Sequence, residues 1–133
     1  MSGQIENINE WIEKADHDLG SAKIIYLHLP DYFDTIAFHC QQAVEKYLKA
    51  LLVSYGIGFL RSHDLIYLLE LLSEKVEVED STFQKAFTLN GFGVQIRYPN
   101  KIIKLTKAEI ETAIQIAEEF RMFSVMIIKT DSK

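Results

Sequence analysis

Apolar residues recur at helical spacing along most of this chain, and no segment alternates polar and apolar residues over more than a few positions. A repeat of three or four residues collects apolar side chains on one side of a helix, whereas a half-buried strand needs a repeat of two. Both prolines and most glycines fall near the ends of the periodic segments. The pattern predicts an all-α fold, a five-helix up-and-down bundle with a four-helix core and one short helix.

Breaker and capping residues predict where the five helices begin and end. Pro30 ends the first helix, and Gly56 is a natural stop for the second. Gly91 and Gly93 predict a kink or an early end in the fourth helix. The predicted helices span residues 8–29, 32–55, 62–73, 81 to about 91, and 106–128.

Three helix starts carry capping residues. Ser62 is the predicted cap of the third helix. Ser81 with Gln84, and Thr106 with Glu109, have the spacing of a capping box, in which each residue bonds the backbone amide of the other.

Composition limits the class of protein. The 133 residues fit a single domain spanning 1–133, and the 48% hydrophobic content is sufficient for a core. A net charge of −5 argues against a general DNA- or RNA-coating protein, and we expect no DNA partner. No apolar run is long enough to span a membrane, and the N-terminus has no secretory signal pattern. With its one cysteine, Cys40, the chain is expected in the reducing cytoplasm.

The second predicted helix carries the most informative polar residues. His39, Gln42, Lys46 and Lys49 fall within an arc of roughly 80° at about 100° per residue. We expect this helix to bury its apolar side and to offer these donors and charges to water or to an anion. A solvated face is the alternative interpretation, because amphipathic helices ordinarily turn such residues to solvent.

Two further polar clusters are candidates to join that helix. One is Arg61-Ser62-His63-Asp64 and the other is Arg97-Tyr98-Pro99. The four histidines lack metal-ligand spacing, so we expect no metal site. Cys40 lies on the apolar side of its helix, where burial would blunt a thiol, so it is not a candidate nucleophile.

Four segments, in this order, resemble the signatures of the HEPN family, the "higher eukaryotes and prokaryotes nucleotide-binding" domain. The resemblance covers nearly the whole chain and includes an RYP motif. The segments are Trp11-Ile-Glu-Lys-Ala-Asp-His-Asp-Leu19, His39-Cys-Gln-Gln-Ala-Val-Glu-Lys-Tyr-Leu-Lys-Ala50, Ser62-His63-Asp64-Leu65 and Arg97-Tyr98-Pro99.

The resemblance implies a helical bundle, usually a homodimer, with a cleft suited to a nucleotide or RNA. It also implies a minimal nucleotidyltransferase as partner in a two-gene module of toxin–antitoxin type. On this basis the first hypothesis is a non-catalytic domain that needs no cofactor and binds a nucleotide such as ATP or GTP, or a polyphosphate. Its expected binding residues are His39, Gln42, Lys46, Lys49, His63, Asp64, Arg97 and Tyr98.

Each expected binding residue has a chemical role. Lys46 and Lys49 would act as point charges on phosphate, and Arg97 as a bidentate donor. Tyr98 could stack on a base or simply pack in the core. Arg97 has the alternative of a structural ion pair with Asp64 or Glu45.

Enzymatic activity is less expected. Ribonucleases of the family carry an arginine followed four to six residues later by a histidine, and no arginine of this chain has that spacing. The first alternative is a metal-independent ribonuclease toxin with a rearranged site, for which Arg97, His63 and His39 are the candidate catalytic residues. The second alternative is a dimeric interaction module that only docks its partner.

Overall fold

The computed structural model describes residues 2–96 and 105–131, and the side chains of residues 8–92 and 105–130. Over those residues the chain forms five helices and no strand, which confirms the predicted all-α bundle. In order they are α1 (Ser2–His28), α2 (Phe33–Ser54), α3 (Leu65–Leu72), α4 (Asp80–Ile96) and α5 (Lys107–Asp131). None of the described helices is long and apolar enough to cross a membrane.

Helix α2 is the central element, because it contacts all four other helices. A helix with neighbours on most sides must be apolar over most of its circumference. Ten apolar residues of α2 are fully buried: Ile36, Ala37, Cys40, Ala43, Val44, Tyr47, Leu48, Ala50, Leu51 and Leu52. Glu45 and Lys49 are also buried. Of the four residues predicted to face water or an anion, Lys49 is buried, whereas His39, Gln42 and Lys46 are partly exposed.

The start of α1 and the end of α4 are the predicted boundaries that move outward most. Helix α1 begins six residues before Ile8, because residues 2–7 contain no proline to stop a helix. Helix α4 continues through Gly91 and Gly93 to Ile96, so the predicted early end is wrong. The cost of a glycine within a helix is about 1 kcal/mol, which packing of the buried Ala86, Leu89 and Phe92 can offset.

The predicted caps have mixed outcomes. The Thr106–Glu109 box is confirmed, since the Thr106 amide donates to Glu109 at 2.9 Å and the Glu109 amide donates to Thr106 Oγ1 at 3.1 Å. Asp64, and not Ser62, caps α3, because a carboxylate oxygen of Asp64 accepts from the Ile66 amide.

The predicted box at the start of α4 is wrong. This helix begins at Asp80, so Ser81 lies within its first turn. The Ser81 hydroxyl donates to a carboxylate oxygen of Glu79 at 3.5 Å.

Candidate functional site

Two residues predicted from α2, His39 and Lys46, meet at a carboxylate of α1. His39 Nδ1 lies 3.0 Å from Asp18 Oδ1, and Lys46 donates to Asp18 Oδ2. The Asp18 side chain is only 14% exposed. Asp18 therefore holds the two side chains in fixed positions where α1 packs against α2.

Two more of the predicted residues, Lys49 of α2 and His63, meet at a second carboxylate, Glu45. Lys49 Nζ donates to Glu45 Oε2 at 2.9 Å, and His63 Nδ1 lies 2.7 Å from Glu45 Oε1. The side chains of Glu45 and Lys49 are almost entirely buried, whereas that of His63 is 66% exposed. His63, from the loop before α3, is thus joined to α2, as the sequence predicted.

Aromatic rings enclose the buried lysine. Lys49 Nζ lies 5.5 Å from the centroid of the Trp11 ring and 5.7 Å from that of the Phe59 ring. A cation is attracted to the negative face of an aromatic ring, and the attraction strengthens where water is excluded. Trp11, Phe59 and Glu45 together hold the ammonium group in an almost entirely buried position.

We call this assembly the α2 polar face. It consists of His39, Gln42, Glu45, Lys46 and Lys49 of α2, with Asp18 of α1 and His63 of the loop before α3. Each lysine has a carboxylate partner, so the face attracts an anion less strongly than unpaired cations would. Each imidazole is held through Nδ1, which leaves Nε2 on the far edge of the ring as its remaining hydrogen-bonding atom.

The remaining predicted residues have different positions. Asp64 Oδ1 accepts from the Ile66 amide at 3.0 Å and from Asn90 Nδ2 at 2.8 Å, so this carboxylate ties α3 to α4. Gln42 is half-buried on the α2 polar face. Arg97 and Tyr98 lie outside the described residues.

A second polar cluster joins α1, α2 and α5. Asp16 Oδ1 accepts from the buried Tyr47 hydroxyl at 2.6 Å and from Arg121 Nε at 3.0 Å. Burial and the bond to Asp16 raise the Tyr47 pKa above its ordinary value, and the same carboxylate raises the pKa of Arg121. Asp16 and Asp18 are two residues apart, so they point to different sides of α1.

Cys40 lies fully buried in the core on α2. Desolvation raises the pKa of its thiol to about 12, which keeps it protonated and unreactive. Among the described residues, no group of three His, Cys, Asp or Glu side chains is placed to hold a metal ion.

Sequence reasoning missed the residues that organise the α2 polar face. Asp18, Trp11 and Phe59 belong to other segments, and helical spacing on α2 gave no sign of them. A signal was present, because Trp11 and Asp18 lie within the first of the four motifs. The position of Glu45 within the second motif was a comparable signal.

Comparisons with known proteins agree with this fold. The HEPN domain family model matches residues 8–128. A protein of Methanocaldococcus jannaschii named "Putative toxin MJ1304" is 31% identical over 123 residues, which cover 81% of this chain and 79% of the relative.

Solved structures show the same architecture. TT1696 from Thermus thermophilus is 30% identical, with a TM-score of 0.78 over 90% of this chain and 96% of its own. The archaeal HEPN homologue ST0689 is 24% identical, with a TM-score of 0.74 over 91% of this chain and 97% of its own. The second of these shares the fold alone at that level of identity. Motifs, fold and family model agree, and the chain belongs to the HEPN domain family.

Proposed function

We propose that this protein is the HEPN half of a cytoplasmic two-protein module of toxin–antitoxin type, and that its α2 polar face binds a nucleotide or a polyphosphate. It would work without catalysis, as a homodimer, beside a minimal nucleotidyltransferase. Family membership and the M. jannaschii relative named as a toxin support the general class.

The observation that supports ligand binding is the convergence of two lysines and two histidines on one face, each held by a carboxylate. His39 and Lys46 share Asp18, and Lys49 and His63 share Glu45. Fixing donors in advance reduces the side-chain entropy lost when a ligand binds. The remaining hydrogens of the Lys46 ammonium and the Nε2 atoms of the two rings are the groups available to phosphate, ribose or base.

Calorimetric titration with ATP and with GTP tests this proposal. We expect saturable binding heat from the unaltered protein. Lys46→Ala should weaken the affinity by about tenfold, the effect of losing one charged hydrogen bond. Lys85→Ala is the matched control, because Lys85 forms an ion pair with Glu119 away from this face. Equal losses in both variants, or no heat from either nucleotide, would overturn the proposal.

Asp18→Asn sharpens the same test. The substitution keeps the shape of the side chain and removes the charge that neutralises Lys46. Phosphate affinity should therefore rise, in contrast to its fall in Lys46→Ala. An unchanged affinity in both variants would place the ligand elsewhere.

A ribonuclease toxin is the second candidate, and the pairing of His63 with Glu45 favours it. A buried carboxylate that holds Nδ1 of a two-thirds exposed imidazole leaves Nε2 available to accept a proton. In such a reaction the imidazole takes the 2′-hydroxyl proton of RNA. The 2′-oxygen then bonds to phosphorus, the bond to the 5′-oxygen breaks, and a second imidazole such as His39 protonates the leaving oxygen.

Expression without a partner distinguishes the two candidates. A ribonuclease toxin arrests growth and degrades RNA, and His63→Ala abolishes both effects. The control is His17→Ala, because His17 is an exposed residue of α1. Growth at the normal rate with intact RNA would exclude this candidate and leave nucleotide binding without cleavage.

A further inference from the structure

Helices α1 and α5 are bridged by three polar contacts and run in opposite directions. Arg121 donates to Asp16, Lys23 pairs with Glu118, and Tyr26 donates to Glu111. Residue numbers rise along α1 as they fall along α5. Because Asp16 and Asp18 point to different sides of α1, this helix pair forms a surface separate from the α2 polar face.

A cavity of about 350 Å³ lies between these two helices. Its apolar lining comes from Leu19, Gly20 and Met122. The Arg121–Asp16 and Lys23–Glu118 ion pairs border it. A Cβ atom built on Gly20 would meet nothing within 4 Å, so the glycine leaves open space at the centre of the groove.

Exposed apolar side chains extend from the cavity in both directions. Ile24 and Leu27 follow Gly20 at i+4 and i+7 on α1, and are 61% and 73% exposed. Met122 and Met126, one turn apart on α5, are 58% and 62% exposed. With the helices antiparallel and Arg121 beside Asp16, these residues form a line of about 23 Å, the length of roughly four helical turns. We call it the α1–α5 stripe.

Charge around the stripe argues for one kind of partner. Among the described side chains, Glu13 and Glu111 have no lysine or arginine within ion-pair distance; Glu13 approaches only His17, at 4.0 Å, and Glu111 accepts from Tyr26. A second copy docked on the stripe would bring the same two carboxylates, Glu13 and Glu111, to the contact. Nucleic acid would be repelled for the same reason.

We propose that the α1–α5 stripe docks an amphipathic helix of a protein partner, with apolar residues at i, i+4 and i+7 and lysine or arginine at its flanks. One of its apolar side chains enters the cavity above Gly20. The two methionines adapt their shape to the incoming helix, as flexible thioether side chains do at binding grooves. The groove follows the helix-in-groove mode of recognition.

This inference extends the partner half of the proposed function and does not depend on nucleotide binding. A partner docked on the α1–α5 stripe leaves Asp18, His39 and Lys46 uncovered. Calorimetry with ATP therefore tests the first proposal, and peptide binding tests this one, so that either can fail alone.

The test uses a fluorescent synthetic helix with leucine at i, i+4 and i+7 and lysine elsewhere, and a counterpart with glutamate in place of lysine. We expect saturable binding of the lysine peptide by the full chain, and none of the glutamate peptide. Met122→Ser and Ile24→Ser should each weaken binding by about tenfold, as for a central contact of an interface. Glu13→Lys should also weaken binding, with a smaller dependence on salt.

Phe87→Ser is the matched control, because Phe87 is 72% exposed on α4 and does not belong to the stripe. Equal loss in this variant, or equal binding of both peptides, would overturn the proposal. Sedimentation of the chain alone adds a further check. A dimer that Met122→Lys breaks and Phe87→Lys leaves intact would assign the stripe to a second copy and would also overturn it.

Discussion

At the scale of single residues, Glu45 is the group on which the α2 polar face depends most. It is a buried carboxylate bonded to a buried lysine and to an exposed histidine. Bringing such charges out of water costs several kcal/mol per ion. Removing one member of a buried pair leaves the other charge buried without a partner. A charge cluster of this kind is a weak net source of stability.

Glu45→Ala should therefore lower the free energy of unfolding by about 3–5 kcal/mol. The double variant Glu45→Met with Lys49→Met should recover most of that loss, because Trp11 and Phe59 would then enclose an apolar side chain. Urea unfolding measures both. A double variant as unstable as the single one would contradict the assignment of the loss to an unpaired charge on Lys49.

Two buried groups of α2 whose pKa is raised, Cys40 and Tyr47, predict sensitivity to alkali. The Cys40 thiol has its pKa raised from 9.0 to about 12, and the Tyr47 hydroxyl has its pKa raised as well. The folded protein keeps these protons to higher pH than the unfolded chain does. The stability they contribute is thus fully present below pH 9 and declines as the pH rises from there towards 12.

The free energy of unfolding, measured from neutral pH into the alkaline range, checks this decline in stability. Tyr47→Phe should flatten it, at the cost of about 1 kcal/mol at neutral pH for the lost hydrogen bond to Asp16. Tyr32→Phe, at an exposed position, should leave the slope unchanged. A slope unaffected by Tyr47→Phe would show that burial of this hydroxyl does not control the response.

Residue-scale details were only partly predictable. The Thr106–Glu109 box follows from local spacing, and it formed as expected. At α3 both Ser62 and Asp64 can accept bonds from backbone amides. Here the Ser62 hydroxyl accepts from the Asp64 amide, and Asp64 caps the helix itself. The sequence offers no local feature that decides between the two residues.

At the scale of helices, apolar periodicity predicted all five elements, because spacing is a local property of the chain. It did not predict which helix lies at the centre. The polar residues of α2 looked suited to solvent, but α1 supplies Asp18 and the Phe59 loop covers Lys49. Such pairings depend on tertiary packing, which no spacing on α2 encodes.

Helix α4 allows a direct test of how much a glycine within a helix lowers stability. Gly91 lies within α4, and a Cβ added there would meet nothing within 4 Å. Gly91→Ala should raise the free energy of unfolding by roughly 0.5–1 kcal/mol, because alanine loses less backbone entropy in a helix.

Gly56→Ala supplies the contrasting case. Gly56 has φ +67°, and an L-residue in that region costs about 1–2 kcal/mol. Urea unfolding should therefore show a higher free energy of unfolding for Gly91→Ala and a lower one for Gly56→Ala. A loss of stability in Gly91→Ala would contradict an unstrained helix at that position.

At the scale of the whole molecule, two separate surfaces lie on the sides of α1. Asp18 belongs to the α2 polar face, and Asp16 belongs to the groove between α1 and α5. The proposed ligand site and the proposed partner site therefore lie on different surfaces. The fold and the location of His63 beside α2 were predictable, whereas the α1–α5 groove was not, because it exists only once two distant helices pack together.

The central claim is that a nucleotide binds at the α2 polar face, and backbone amide shifts in a ¹H–¹⁵N titration with ATP test it most directly. We predict saturable shifts at residues 39–49 and 62–64, and none along residues 111–122 of α5. Lys46→Ala should reduce the shifts at both predicted segments. Shifts confined to α1 and α5, or no shifts at saturating ATP, would contradict the account.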